Sequence, residues 1–138
     1  MRTAFVFSIV VLFGACASTP GSSNNPLAGT DWELRSIVEE SDSLTTLPRD
    51  GLHFTSEYEI SMRSCNICNG FYTAKGSNLM TSHMICTLRA CEQDRPELAH
   101  LIGDTSTYRL RGDWLIIETG GIGSKRLYFA PGLPPEGN

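Results

Sequence analysis

Thr105-Ser-Thr-Tyr-Arg-Leu-Arg-Gly-Asp-Trp-Leu-Ile-Ile-Glu-Thr119 holds two short runs rich in β-branched and aromatic residues, one on each side of Arg111-Gly112-Asp113. Glycine suits a tight turn, and runs of this length suit strands, so the stretch predicts an antiparallel hairpin with strands at 105–110 and 114–119. The same grammar recurs upstream. Residues 51–55 and 58–62 place Leu52, Phe54, Tyr58, Ile60 and Met62 in alternation and read as a second hairpin. In residues 31–38, Trp32, Leu34 and Val38 alternate with polar neighbours. Residues 70–73 and 79–85 read as two more strands joined by Ala74-Lys-Gly-Ser-Asn78, and 125–129 as a closing strand after the glycine-rich turn at 120–124.

One helix interrupts the series. Asp94 can cap it, Glu97 can close a capping box, and Pro96 sits in the first turn, where its missing N–H is harmless. Leu98, Leu101 and Ile102 then form an apolar face and Gly103 ends the segment. About eight short strands around one helix predict a mainly β fold, a small β-barrel or sandwich. Residues 39–50 read as a loop, and Ala130 to Asn138, rich in proline and glycine, as a tail.

The chain of 138 residues suits one domain. Hydrophobic residues at 41% and charged residues at 19% are globular composition rather than disorder. A net charge of −4 gives no basic footprint, so no nucleic-acid partner is expected.

Residues 1–15 begin with a basic Met-Arg-Thr, continue through an apolar run at 4–13 with Ser8 its only polar side chain, and exit through Gly14 and Ala15. This is the build of a secretory signal peptide, too short to span a bilayer permanently. Leu12-Phe13-Gly14-Ala15-Cys16 resembles the bacterial lipobox, with Phe13 where that signal usually has leucine. The resemblance implies lipidation of Cys16 and cleavage before it. The plainer alternative is an ordinary signal peptide cut near Ala17. Residues 16–26, nearly free of apolar side chains, read as a tether between anchor and domain. Ala17, rather than aspartate, implies sorting to the outer membrane by resemblance to Gram-negative lipoproteins. Removing residues 1–15 takes away one cation, Arg2, leaving a domain of charge −5 with no electrostatic reason to lie on anionic lipid.

Cys65, Cys68, Cys86 and Cys91 could form disulfides, a zinc site or a redox-active Cys-x-x-Cys pair. Export to an oxidising compartment favours disulfides, of which four cysteines allow three connectivities. No helix N-terminus is expected at Cys65 to activate a thiol. His53, His83 and His100 are dispersed and read as surface or hydrogen-bonded residues. Glu57 and Glu59 read as a solvated hairpin face, Arg111-Gly112-Asp113 as a turn rather than an adhesion motif, and Gly120-Gly-Ile-Gly123 as a turn rather than a phosphate cradle. No G-x-S-x-G motif occurs, and no catalytic residue, metal or cofactor is expected.

Five stretches taken in order resemble the META domain, or HslJ-like, family. Leu27-Ala-Gly-Thr-Asp-Trp-Glu-Leu34 is similar to its opening L-x-G-T-x-W-x-L. Ser64-Cys-Asn-Ile-Cys-Asn-Gly-Phe-Tyr72 is similar to G-C-N-x-F-x-G-x-Y, and Thr87-Leu-Arg-Ala-Cys91 to T-R-M-A-C. The helix with Glu97 and Leu98, then Tyr108-Arg-Leu-Arg-Gly-Asp-Trp-Leu115, complete the set. Ser64 stands for the family glycine, Cys68 for an aromatic, Cys86 is extra and the arginine has moved to Arg89. The resemblance implies a lipocalin-like barrel over residues 27–130, with 131–138 a disordered tail, often in lipoproteins linked to heat shock and stress tolerance. It brings no enzymatic activity. It implies pairing of Cys65 with Cys91, the two family positions, which leaves Cys68 with Cys86.

The reading is a non-enzymatic lipoprotein, held by Cys16 to the periplasmic side of the outer membrane, acting in envelope stress tolerance through an unidentified envelope protein. Its alternatives are a carrier of a small apolar ligand inside the barrel and, more weakly, a thiol–disulfide protein using Cys65 and Cys68. Trp32, Phe54, Tyr72, Tyr108, Trp114 and Phe129 are the aromatic set expected to fill the interior.

Overall fold

The computed structural model describes residues 25–39, 50–91, 97–121 and 123–132. The expected leader at 1–15, Cys16 and nearly all of the tether lie outside the described residues, as do Asp94 and Pro96 of the expected helix start and residues 133–138.

The elements run β1 (Thr30–Val38), β2 (Gly51–Phe54), β3 (Glu59–Arg63), β4 (Ile67–Lys75), β5 (Asn78–Cys86), α1 (Leu98–Ile102), β6 (Thr105–Arg111), β7 (Trp114–Thr119) and β8 (Arg126–Pro131). Each strand pairs antiparallel with the next, and β8 returns to β1, so the sheet closes into an eight-stranded barrel. Strand direction alternates, which sorts the connections onto two ends. The first end carries Asn25, the turns after β2, β4 and β6, and Gly132. The second carries the turns after β3 and β7, together with α1.

Period-two alternation sends one face of every strand inward. Leu34, Leu52, Phe54, Ile60, Met62, Cys68, Tyr72, Leu79, Leu115, Ile117, Leu127 and Phe129 are at most 2% exposed. Three expectations of phase and one of extent need correcting. At the end of β1 Ile37 rather than Val38 enters the core, and Val38 lines an outer groove. Tyr58 lies in the turn before β3 rather than on its inner face and is largely exposed. Trp114 is 43% exposed, because Leu115 and Ile117 take the inward positions of β7 and leave Trp114 outside. The chain extends β8 to Pro131, so the expected tail starts too early at Ala130: Ala130 pairs with Glu33 and Pro131 with Trp32.

Two irregularities shape the sheet. Arg35 is an extra residue in β1 between Leu34 and Ser36, at the place where β1 leaves β2 and continues with β8 alone. In β5, His83 and Met84 together oppose Gly70 of β4. His83 has φ 53, the left-handed conformation that one class of bulge requires. Gly70 meets that bulge at close range: a Cβ there would lie 2.8 Å from the Ser82 carbonyl oxygen. The glycine of the family signature therefore has a packing reason.

Each end of the barrel is plugged. At the first end Leu27 is wholly buried under the turn that precedes β1. Gly29, at φ 70, donates its N–H to the Phe54 carbonyl at 2.7 Å. The Thr30 hydroxyl donates to the Leu27 carbonyl and accepts the Trp32 indole N–H at 2.7 Å. Leu-x-Gly-Thr-x-Trp is thus one interlocked cap. Asn25 extends it, donating its amide to the Tyr72 hydroxyl at 2.8 Å, and Tyr72 donates to the Ser56 carbonyl at 2.8 Å. Tyr72 also meets Phe54 edge to face, ring centres 4.8 Å apart.

At the second end α1 packs on β3 and β7 with Leu98 and Ile102 buried. The helix covers Leu98–Ile102 only, shorter than the sequence predicts. The Glu97 side chain makes no capping bond, because its carboxylate is drawn to the turn after β3. Gly103, at φ 59, ends the helix as expected. The Ser106 hydroxyl donates to the Ile102 carbonyl at 2.6 Å, which ties the helix to β6.

The opposite placement of the two tryptophans gives a first test. Trp32→Ala costs about 3–5 kcal/mol in urea unfolding, as large-to-small changes in a core do, whereas Trp114→Ala costs less than about 1 kcal/mol, the scale of surface sites. Equal losses contradict the strand phase. Tyr72 gives a second. Burial raises its pKa above the ordinary tyrosine value, against a smaller lowering by the Asn25 hydrogen bond. A raised folded pKa means that the unfolded chain gives up the phenol proton first, so stability falls as pH rises above about 10, the unfolded value. Tyr72→Phe loses about 1–2 kcal/mol at neutral pH with the hydroxyl's bonds. It also shows a shallower alkaline decline than the parent chain in unfolding measured between neutral and strongly alkaline pH.

Candidate functional site

The residues singled out by the sequence fall into three places. The cysteines meet at the second barrel end. Cys68 and Cys86 are register partners on β4 and β5, bonded across the strands with Cα atoms 4.0 Å apart. Cys65 and Cys91 are bonded with Cα atoms 5.9 Å apart, outside the first bridge in chain order, so the bridges are nested. Cys65 and Cys68 are therefore not bonded to each other. Cys68 is buried, filling the inward position where the family signature has an aromatic.

Glu97 reaches this knot from the start of α1. Its carboxylate accepts from the Ser64 hydroxyl, from the Asn66 backbone N–H at 3.2 Å and from the Asn66 side-chain amide at 3.1 Å. The Asn66 side-chain Oδ1 accepts from the Arg89 backbone N–H at 2.8 Å and the Thr87 hydroxyl at 3.1 Å. One asparagine thus joins the turn after β3, the segment after β5 and the helix. Sequence reading assigned Glu97 to a local cap and missed this clamp; the only signal for it was the family asparagine beside Cys65. The donor atoms of Cys65, Cys91 and Glu97 lie within 4.8 Å of one another. Sulfurs joined in a disulfide are not thiolates, so this is not the donor set that zinc requires. With donors on both oxygens, Glu97 is a structural acceptor rather than a poised base.

The histidines stay apart, as the sequence predicts. His53 on β2 pairs with Asp31 on β1, His83 meets Phe71 edge to face, and His100 is exposed on α1. Glu57 lies in the turn after β2 and Glu59 begins β3, both exposed. No nucleophile stands hydrogen-bonded to a histidine base among the described residues.

The third place is the outer face of β6, β7, β8 and β1. Ser36, Val38, Arg111, Trp114, Ile116 and Tyr128 line an open groove of about 420 Å³. Beside it Glu118 accepts from Arg126 at 2.8 Å and from Arg109 at 3.2 Å. Tyr128 and then Glu118 raise the pKa of Arg126 further above the ordinary arginine value, so its charge is permanent. A second groove of about 380 Å³ opens at the turn after β7, between Val38, Thr107 and Arg126. Arg111-Gly112-Asp113 is the turn that carries the first groove's rim, with Gly112 at φ 57.

Similarity to known proteins agrees with this geometry. A search of curated proteins finds no match. An NMR structure of a protein from Burkholderia xenovorans superposes with a TM-score of 0.55 at 18% identity, covering 91% of this chain and 100% of that one, a likeness of fold. The META domain family model matches residues 25–131, from the Asn25 plug to the last residue of β8. The chain belongs to the META domain family.

Proposed function

We propose that the protein is a lipid-anchored envelope protein whose barrel is a solid scaffold acting through its outer surface, without catalysis. The observation that carries this reading is the filled interior. Phe54, Tyr72 and Phe129, with Leu34, Leu52, Ile60, Met62 and Leu115, occupy the inner face at near-zero exposure. Leu27 and α1 stop the two ends. An eight-stranded barrel can either fill itself with side chains or hold a small ligand. Packing of this kind favours the first use over the carrier reading. Engagement of both Glu97 oxygens and the dispersal of the histidines speak for binding rather than chemistry. The partner is an envelope protein, and the role, on the family resemblance, is tolerance of envelope stress.

The anchor rests on Leu12-Phe-Gly-Ala-Cys16 and places the domain on the periplasmic side of the outer membrane. Acyl chains on Cys16 hold it there, each buried methylene contributing about 0.8 kcal/mol, and one chain alone is marginal. Intact mass of protein extracted from membranes is then that of residues 16–138 plus three acyl groups, and Cys16→Ser releases the protein into the soluble fraction. An unmodified soluble chain beginning at Ala17 or Ser18 contradicts the anchor.

A further inference from the structure

We propose that the β6–β7 hairpin tip and the adjoining outer face of β7 and β8 form a foot that rests on an anionic phospholipid surface; this deepens the anchor reading and rests on it. Three observations converge on it. The first is exposure. Leu110 and Trp114 flank the turn and remain 42% and 43% exposed, while Ile116, buried, and its register partner Tyr128 line the same groove as Trp114. Tryptophan and tyrosine, apolar in body and polar at the tip, are the side chains that settle at the headgroup level of a bilayer.

The second is charge. Arg111 is the register partner of Trp114 and Arg109 that of Ile116, while Arg126 stands further along the same face towards the second end. Glu118 is held between Arg109 and Arg126, and Asp113 sits in the turn itself. The three cations against these two carboxylates leave the face positive, in a chain whose net charge is −4. Of the other acids at the same barrel end, Asp31 at the start of β1 is paired with His53, and Glu57 and Glu59 belong to the β2–β3 hairpin. β3 and β7 are four strands apart in a closed barrel of eight, on opposite sides. The exposed Phe71 and Met80 on β4 and β5 have one strand cation on their face, Lys75 at the end of β4, against Glu59, which faces Phe71 across the ladder. An anionic surface at this end therefore attracts the β7 side and repels the β3 side. The uniform charge of the domain argues against contact with lipid; its distribution argues for it.

The third is attachment. The hairpin tip, Asn25 and Gly132 share one end of the barrel. Eight residues, 17–24, separate Cys16 from Asn25, and covalent geometry limits their span to about 30 Å. An anchor at Cys16 thus attaches through the first end, the end that carries Trp114. The contacts add up, at roughly 1 kcal/mol per cation near the surface, to an affinity that the unanchored domain shows at millimolar lipid, and the anchor raises it further by confining the domain.

The test uses a chain beginning at Ala17, which retains every described residue and cannot be acylated at Cys16. It is sedimented with vesicles of phosphatidylethanolamine and phosphatidylglycerol and, separately, of phosphatidylcholine. The expected result is binding about fivefold or more stronger to the anionic vesicles, weakened by salt, with a blue shift of tryptophan emission. Arg111→Glu and Trp114→Ala each reduce binding, while Phe71→Ala leaves it unchanged. Trp114→Ala also removes the blue shift, since Trp32 is buried in the core. Near-ultraviolet circular dichroism shows that the variants stay folded. Absence of binding, equal binding to both vesicle types, insensitivity to Trp114→Ala and Arg111→Glu, or a Trp114-dependent dimer in its place each overturns the foot. Because the probe carries no acyl chain, its failure leaves the Cys16 anchor standing, and failure of the anchor is read separately from the mass of the extracted protein.

Discussion

Closure of the sheet by β8 against β1 is the pairing on which the rest of the structure depends. A sheet of seven consecutive hairpin-type neighbours would leave two rows of unpaired backbone groups. Val38 to Trp32 of β1 run beside Arg126 to Pro131 of β8 and remove both. Closure also creates an inside. Once it exists, every second residue of every strand must be apolar or small, and each end must be stopped. The chain meets these needs with Leu27 at one end and α1 at the other. The Arg35 bulge lets β1 serve two neighbours that it accompanies over different lengths.

The two ends are held by different chemistry. At the first, hydrogen bonds from Asn25, Thr30 and Tyr72 fix the turn that carries the buried Leu27. At the second, where β5 pairs with β6 only over Asn78–Met80, the long connection between those strands needs stronger fastening. Two disulfides and the Asn66–Glu97 clamp supply it. In the entropic account of cross-links, whose mechanism is disputed, the outer bridge closes a loop of under thirty residues and contributes about 3.5 kcal/mol. The inner bridge contributes less, since its loop is already closed.

Much of this was legible because antiparallel strands with one buried face print their burial into the sequence. Leu52 and Phe54 of β2, and Ile60 and Met62 of β3, alternate cleanly and are buried as read. Where apolar residues run without a break, alternation carries no phase. Trp114-Leu-Ile-Ile117 offers four candidates for two inward positions, and the largest side chain, Trp114, is left outside together with Ile116. The helix failed for another reason. Glu97 satisfies a local capping rule, but tertiary partners on Ser64 and Asn66 compete for the same carboxylate and win. The His83 bulge was invisible because a histidine in left-handed conformation has no sequence signature of its own; only Gly70 across the ladder hints at it. Of the candidate sites, the cysteine knot could be read through the family resemblance, while the Arg111–Trp114 face required knowing which side of β7 points out.

The central claim is that the barrel is full, so that whatever this protein binds it binds on its outer surface. Trp32 sits on the inner face with 9% exposure and reports on that space. In a Trp114→Phe chain Trp32 is the sole tryptophan, and a long-chain fatty acid brominated along its tail quenches it only on contact. Titration of the folded chain with that fatty acid leaves Trp32 emission unchanged if the interior is packed as described. Saturable quenching at one molecule per chain would contradict the account and restore a ligand to the barrel.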